Sequence, residues 1–151
     1  MPIQSLKRFL DDNHVKYISI AHSRAYTASE VAYSAHVPHK TLAKTVMVKV
    51  DGTLAMAVVS ADHFVDVDRL KMSLGANQLE LARESDFETK FPDCEIGAMP
   101  PFGNLYGMPV YISTKLTSVQ EIAFNAGSHT EVIKLALADF MRLVTPTTVD
   151  F

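Results

Sequence analysis

The sequence predicts an α+β domain with a largely antiparallel sheet, because apolar runs of strand character alternate with segments of helical periodicity. The most informative feature is the run Leu42 to Val50, followed by Asp51-Gly52 and then by Thr53 to Ser60. An Asp-Gly dipeptide between two β-rich runs is typical of a hairpin turn, so two adjacent antiparallel strands are predicted. The chain has 151 residues, 48% of them apolar, and no linker-like stretch, so we expect one domain over residues 1–151.

The first third of the chain contains two predicted helices with a strand between them. Apolar residues within positions 3–10 recur at helical spacing and predict a helix that ends near Asn13, and residues 16–20 then predict a short strand. Thr27 and Glu30 have the spacing of a capping box, in which each side chain accepts a hydrogen bond from the backbone of the other residue. A second helix is therefore expected to begin at Thr27.

Two further helices are predicted after the hairpin. Asp66 can cap a helix that runs through Leu74 and that Gly75 closes. Ser85 and Glu88 have the spacing of another capping box, which predicts a helix that begins at Ser85.

The last third of the chain is predicted to return to the sheet. Residues 110–112 and 120–124 have strand character. Within residues 131–144 the pattern changes from β-branched to helical, so we expect a strand first and a helix after Leu137, with Asp139 near its first turn.

A rigid loop separates two of these apolar stretches. Its sequence is Gly97-Ala98-Met99-Pro100-Pro101-Phe102-Gly103. The two prolines each lack a backbone donor and the glycines permit unusual dihedral angles, so the segment forms neither a helix nor a regular strand. Rigid loops of this kind can hold backbone N–H and C=O groups towards a ligand.

A lysine interrupts the first strand of the hairpin. Lys44 and Thr45 come directly before the apolar residues Val46-Met47-Val48, so an ammonium group lies where a sheet usually has core. A fixed ammonium group can bind a phosphate or an ester carbonyl as a point charge. Thr45, a β-branched residue, suits a structural position in a strand better than a catalytic one.

These features, taken in order, resemble the YbaK family of aminoacyl-tRNA deacylases, which is related to the editing domain inserted in bacterial prolyl-tRNA synthetases. The resemblance extends over nearly the whole chain and rests on four segments: Thr27-Ala28-Ser29-Glu30-Val31-Ala32, Lys44-Thr45, the Gly-x-x-x-Pro pattern from Gly97 to Pro101, and Ala126-Gly127. It implies a curled, partly barrel-like, mostly antiparallel mixed sheet with helices packed outside and a cleft at one end.

The resemblance also implies an activity, which is hydrolysis in trans of the ester of a mischarged aminoacyl-tRNA. The expected substrates are small amino acids such as Ala, Cys or Ser, carried on tRNA for proline. The acceptor end of the tRNA would be the bound part, and prolyl-tRNA synthetase is a possible partner.

The resemblance further implies the roles of individual residues. Lys44, Gly97 and Pro101 are the catalytic residues: the loop holds the aminoacyl group, Lys44 holds the terminal adenosine phosphate or the carbonyl, and the free ribose hydroxyl helps to activate water. Substrate-binding roles are implied for His22, Thr45, Ala98, Met99, Pro100, Phe102, Ala126, Gly127 and Ser128.

Three other interpretations compete with this one. Ser113 stands where relatives often carry Asp, so a catalytically silent module that binds tRNA or a small ligand is the main alternative. His36 and His39 suggest a metal-dependent hydrolase, but Pro38 lies between them and no acidic or cysteine partner has ligand spacing. Cys94 has no histidine in a recognisable relation to it, which disfavours a covalent hydrolase. No metal or cofactor is expected.

Composition and charge exclude several other classes. A net charge of −3 argues against DNA binding and against any nucleic-acid binding that depends on a large basic excess. No apolar run approaches the ~20 residues of a membrane helix, and the first residues lack the apolar region of a signal peptide. We therefore expect a cytoplasmic protein with no membrane partner.

Overall fold

The structure is a computed structural model that describes residues 3–151. Its helices are α1 (Gln4–Asp12), α2 (Ala28–Ala35), α3 (Val67–Leu74), α4 (Glu84–Phe87) and α5 (Leu137–Val144). Its strands are β1 (Tyr17–Ala21), β2 (Leu42–Val50), β3 (Thr53–Ser60), β4 (Leu79–Leu81), β5 (Val110–Ser113), β6 (Glu121–Asn125), β7 (Glu131–Ala136) and β8 (Thr147–Val149). The α+β class is confirmed.

The strands form one mixed sheet, with the order β1-β7-β6-β2-β3-β5-β8 and with β4 paired to β2 beside this path. The β1/β7, β6/β7, β2/β3 and β2/β4 pairs are antiparallel, whereas β2/β6, β3/β5 and β5/β8 are parallel. The sheet is therefore mostly antiparallel, as predicted. Because β1 and β8 stand at the two ends of the path, the described strands do not close into a complete barrel.

Successive side chains of each strand point to opposite faces of the sheet. Both faces carry buried apolar side chains, and helices cover both. On one face, α1 and α5 pack with the loop after α4 around the rings of Phe102, Phe124 and Phe140. On the other face, α3 inserts Leu70 against β2 and β3, and α2 packs against the start of β2 and the adjoining strands.

The local signals in the sequence predict most of these elements correctly. The hairpin strands have the predicted bounds, the capping box of Thr27 and Glu30 is present, and the Asp66 side chain accepts a hydrogen bond from the Arg69 N–H at the start of α3. The change from strand to helix at Leu137 is also confirmed.

One predicted helix start is wrong and two strands were not predicted. Helix α4 begins before Ser85, because the Arg83 N–H donates to Asp86 Oδ2 over 2.8 Å and no Ser85–Glu88 capping box forms among the described residues. Strands β4 and β8 have three residues each, so their period is too short to detect, and they exist because β2 and β5 offer free edges.

No helix in the described part of the chain is both long and apolar enough to span a membrane.

Candidate functional site

A pocket of about 180 Å³ opens where strands β2 and β6 separate. The two strands are paired only at Leu42↔Ala123 and Ala43↔Phe124, and β2 next meets a strand on that side at Val48, in β4. The gap between these two ladders is unpaired among the described strands, and its walls are lined by Tyr26, Ala28, Ala43, Lys44, Thr45, Gly97, Met99 and Asn125.

The structure therefore brings together four of the residues predicted for the site. Lys44 and Thr45 are adjacent on β2, and Gly97 and Met99 come from the loop more than fifty positions later. Successive side chains of a strand leave opposite faces, and both Lys44 and Thr45 line the pocket, which lies beside the stretch of β2 between its β6 and β4 partners.

The surroundings of Lys44 shift its pKa. The side chain is half-buried, and this desolvation lowers the pKa of Lys44, while the nearby Asp62 carboxylate opposes the shift. The Lys44 Nζ atom also lies 4.4 Å from the centre of the Phe64 ring, on the ring face. The ammonium group thus has a carboxylate and an aromatic ring beside it, and both belong to the turn that follows β3.

This turn, residues 60–64, is held by its own hydrogen bonds. The buried Ser60 hydroxyl donates to Asp62 Oδ1 over 2.6 Å, and His63 Nδ1 lies 2.9 Å from the same carboxylate oxygen. The Ala61 N–H donates to the Leu42 carbonyl. The Ser60 hydrogen bond is the main cause that lowers the pKa of Asp62. This carboxylate therefore keeps its negative charge to lower pH than an ordinary Asp does.

The loop that carries Gly97 is tightly turned. Gly97 has φ of +87°, a left-handed conformation that side-chain-bearing residues rarely adopt. The Ala98 N–H donates to the Glu95 carbonyl, and the Gly97 N–H points to the Met99 sulfur at 3.2 Å. Gly97 is exposed at the pocket wall, whereas Ala98 and Met99 are buried beneath it.

The late Ala126-Gly127 turn supports this loop from behind. The Gly127 N–H donates to the Ala98 carbonyl over 2.9 Å, and the Glu95 N–H donates to the Gly127 carbonyl over 2.8 Å. A Cβ on Gly127 would lie 2.2 Å from Ile3 Cγ2, so only glycine lets the start of the chain pack here. Ala126 and Gly127 are buried and do not line the pocket, so their contact with the site passes through the loop.

His129 fixes the other side of the loop. Its backbone N–H donates to Glu95 Oε2 over 2.6 Å, and its Nε2 lies 2.9 Å from the Ile96 carbonyl. The hydrogen bond from His129 is the main cause that lowers the pKa of Glu95. The His129 ring also packs against Tyr26 with the ring centres 4.8 Å apart, which connects the loop to the pocket wall.

Three residues with polar or aromatic side chains near the pocket were not predicted from the sequence, and neither were the small lining residues Ala28 and Ala43. Tyr26 and Asn125 line it, and His129 stands behind both Tyr26 and Gly97. Asn125 Oδ1 is buried and has no hydrogen-bond partner among the described residues. Its position directly before the Ala126-Gly127 turn was the one available signal.

Several predicted residues lie away from the pocket walls. Phe102 is fully buried and its ring packs against Phe9, Phe124 and Phe140 in the core. The set outside the pocket lining also contains His22, Ala98, Pro100, Pro101 and Ser128. The two prolines stiffen the base of the loop, so the effect of this set on a ligand would be indirect.

The His22 side chain is hydrogen-bonded to the backbone of the next residue. Its Nδ1 donates to the Ser23 carbonyl over 2.7 Å, and its Nε2 is buried without a partner among the described residues. Ser113 donates from its hydroxyl to the Phe151 carbonyl and is buried outside the pocket. Ser113 therefore connects the end of the chain to β5.

Comparisons with known proteins point to one family. The family model described as the aminoacyl-tRNA editing domain matches residues 22–143. The multifunctional Ser/Thr-tRNA deacylase ProXp-y of Escherichia coli (strain K12) is 30% identical over 114 residues, which are 72% of this chain and 68% of the relative. A proline–tRNA ligase of Geobacter sulfurreducens is 34% identical over 77 residues, which are 51% of this chain and 13% of the ligase.

A solved structure has the same fold. A crystal structure assigned provisionally as a trans-editing enzyme for prolyl tRNA synthetase superimposes with a TM-score of 0.80, over 96% of this chain and 92% of that one. The two sequences are 18% identical, so this likeness shows the fold alone.

Proposed function

Because the chain belongs to the aminoacyl-tRNA editing domain family, we propose that it hydrolyses, in trans, the ester that joins a wrongly attached small amino acid to the 3′ end of a tRNA. The observation that carries the proposal is the convergence of Lys44 and Gly97 on one pocket whose size suits an amino acid. The whole chain, residues 1–151, acts as one editing domain in this proposal.

Each wall of the pocket has a task in this reaction. Lys44 provides positive charge for the ester carbonyl or the neighbouring phosphate, and a desolvated ammonium group acts more strongly there than it would in water. The Gly97 turn supplies a wall without a side chain, so the aminoacyl group can approach the backbone closely. Pro101, expected from the resemblance to be catalytic, acts in this proposal as a positioning residue that fixes the loop carrying Gly97.

The polar lining favours a small hydroxyl-bearing amino acid. Thr45 and Asn125 line the pocket and carry groups that can hydrogen-bond a serine side chain, and sites built to hydrogen-bond a substrate hydroxyl discriminate strongly against a ligand that lacks it. We therefore expect Ser to be hydrolysed better than Ala or Cys. The Ser/Thr-tRNA deacylase relative supports this order.

The carrier is proposed to be tRNA for proline, bound by its acceptor end. The similarity to part of a proline–tRNA ligase supports this choice, with prolyl-tRNA synthetase as a partner and the cytoplasm as the place of action.

A panel of mischarged tRNAs tests the proposal. Ser, Thr, Ala and Cys are each attached to tRNA for proline, and release of the amino acid is followed with and without the protein. We expect hydrolysis of the Ser ester in particular. Binding of these tRNAs without hydrolysis of any of them would instead support the silent binding module.

The loop prediction concerns Gly97→Ala. The new methyl group would lie 3.5 Å from His129 Cε1, which is ordinary contact, but φ of +87° makes alanine unfavourable by about 1–3 kcal/mol. We expect the loop to shift into the pocket, so that hydrolysis of the larger of two accepted amino acids falls more than that of the smaller. The measurement is kcat/KM for both esters.

Gly75→Ala is the matched control for this variant. Gly75 also has positive φ but no atom within 4 Å of its added Cβ, and it lies outside the pocket lining. It should bear similar backbone strain with unchanged kcat/KM. Equal loss for both esters in Gly97→Ala would indicate general loop distortion.

The pH prediction concerns Asp62→Asn. The Asp62 charge raises the pKa of Lys44, so its removal lowers that pKa and the ammonium group is lost at lower pH. We expect the alkaline fall of kcat/KM to move to lower pH, after subtraction of uncatalysed ester hydrolysis. Asp68→Asn, which removes an exposed carboxylate on α3, should leave the profile in place. If Asp62→Asn leaves the pH profile of kcat/KM unchanged, Lys44 is not the group whose deprotonation causes the alkaline fall.

The cysteine and metal prediction concerns Cys94→Ser and chelator treatment. Burial raises the pKa of Cys94 to about 11, so its thiolate is scarce at neutral pH. No group of three or more His, Cys, Asp or Glu that could hold a metal occurs among residues 3–151. We expect near-normal deacylation after either treatment. Loss of activity with chelator that zinc restores would favour the metal-dependent hydrolase.

A further inference from the structure

An exposed aromatic ring stands beside the proposed catalytic lysine. Phe64 is 88% exposed, although it is a large apolar residue. Single exposed apolar residues are common on protein surfaces, and Tyr33 at 81% and Met72 at 81% are examples. Phe64 differs from these two because one face of its ring contacts the Lys44 ammonium group at 4.4 Å.

The ring is carried by a turn with a defined shape. The Ser60 hydroxyl and His63 Nδ1 both bind Asp62 Oδ1, and the His63 N–H donates to the Ser60 carbonyl over 3.0 Å. The turn is also tied to β2 through the Ala61 N–H and the Leu42 carbonyl. These bonds fix the residues directly before Phe64, whose ring lies beside Lys44, a residue of the pocket lining.

The other face of the ring is open. In the described part of the chain, no second ring or cation contacts Phe64. Tyr26, the other exposed aromatic residue near the pocket, already packs against the His129 ring and the Arg24 guanidinium group. Phe64 is thus the ring at this rim with a free surface for a flat ligand.

The geometry of the substrate brings a base to this surface. If the amino acid fills the pocket and Lys44 faces the ester, the terminal ribose lies at the pocket mouth, and its base is one glycosidic bond further out. The 3′ end of a tRNA is unpaired, and unpaired bases are commonly bound by stacking on aromatic side chains. We infer that Phe64 is the stacking platform for the terminal adenine of the RNA substrate, an inference that rests on the function proposed above.

The test compares RNA minihelices that carry serine through a non-hydrolysable amide and end either in adenosine or in an abasic ribose. Phe64→Ala should weaken binding of the adenosine-ended RNA about tenfold and leave the abasic one nearly unchanged. Phe64→Tyr, which keeps the ring, should bind both as the wild type does. Tyr33→Ala is the matched control, because it removes a similarly exposed ring from α2 without a contact to Lys44.

Two results would overturn the inference. Equal weakening for both RNAs would mean that the ring acts only through Lys44, and unchanged binding of the adenosine-ended RNA would mean that the base does not stack there. Deacylation by the wild type is measured in parallel. Absence of deacylation contradicts the proposed function, whereas deacylation with either of the two results above contradicts the role of Phe64 alone.

Discussion

Lys44→Ala is expected to lower kcat/KM for deacylation by about 10²–10³-fold, because it removes the charge that faces the ester in a partly desolvated pocket. The protein should fold normally, since the Lys44 side chain is only half-buried and belongs to none of the described core clusters. The measurement is the rate of hydrolysis of serine attached to tRNA for proline, at substrate concentrations below KM so that it reports kcat/KM. A thermal unfolding curve is recorded for each variant.

Two variants make the result specific. Lys44→Met keeps the aliphatic stem without the charge and should be as inactive as Lys44→Ala. Lys49→Ala removes a lysine from the same strand whose Nζ lies 3.7 Å from Asp86 and outside the pocket, so it should retain activity. Near-normal turnover by Lys44→Ala with saturating substrate would remove Lys44 from the mechanism.

A tRNA whose terminal adenosine lacks the free vicinal hydroxyl is expected to bind normally and to be hydrolysed roughly 10²–10⁴-fold more slowly. The reason is that no carboxylate or histidine lines the described pocket, so the protein offers no evident base to the attacking water. The neighbouring hydroxyl is held close to the ester by covalent geometry and can orient or activate that water without a positioning cost.

Variants of two histidines are the controls for the experiment with this deoxy substrate. His22→Ala should change turnover little, because His22 Nδ1 is bound to Ser23 and the residue lies outside the pocket lining. His129→Gln is expected to act on loop position and so to affect KM, since the His129 ring is bound to the Ile96 carbonyl. Normal turnover of the deoxy substrate, together with inactivation by His22→Ala, would make His22 a conventional base.

The helices and the hairpin could be predicted because their signals are local. A capping box needs two residues three positions apart, as in Thr27 and Glu30, and the Asp51-Gly52 turn needs two neighbours. Ser85 and Glu88 show the limit of this reasoning. They have the right spacing, but Arg83 and Asp86 form the competing bond two residues earlier.

The site could be predicted only in part. Lys44 and the Gly97 loop are visible in the sequence because an ammonium group in a strand and two adjacent prolines are unusual in themselves. Asn125 and Tyr26 carry no such mark. They become pocket residues because β6 parts from β2 after Phe124 and because Tyr26 packs on His129.

The sequence by itself therefore determined most of the elements, the family and the residues whose chemistry is unusual at their positions. Tertiary structure alone decided which of those residues share a surface. Tertiary packing placed Phe102 in the core and Gly127 behind the loop. It also placed the Phe64 ring against the Lys44 ammonium group. The physical reason is that such contacts depend on strand pairing and side-chain packing between distant segments, for which no local periodicity exists.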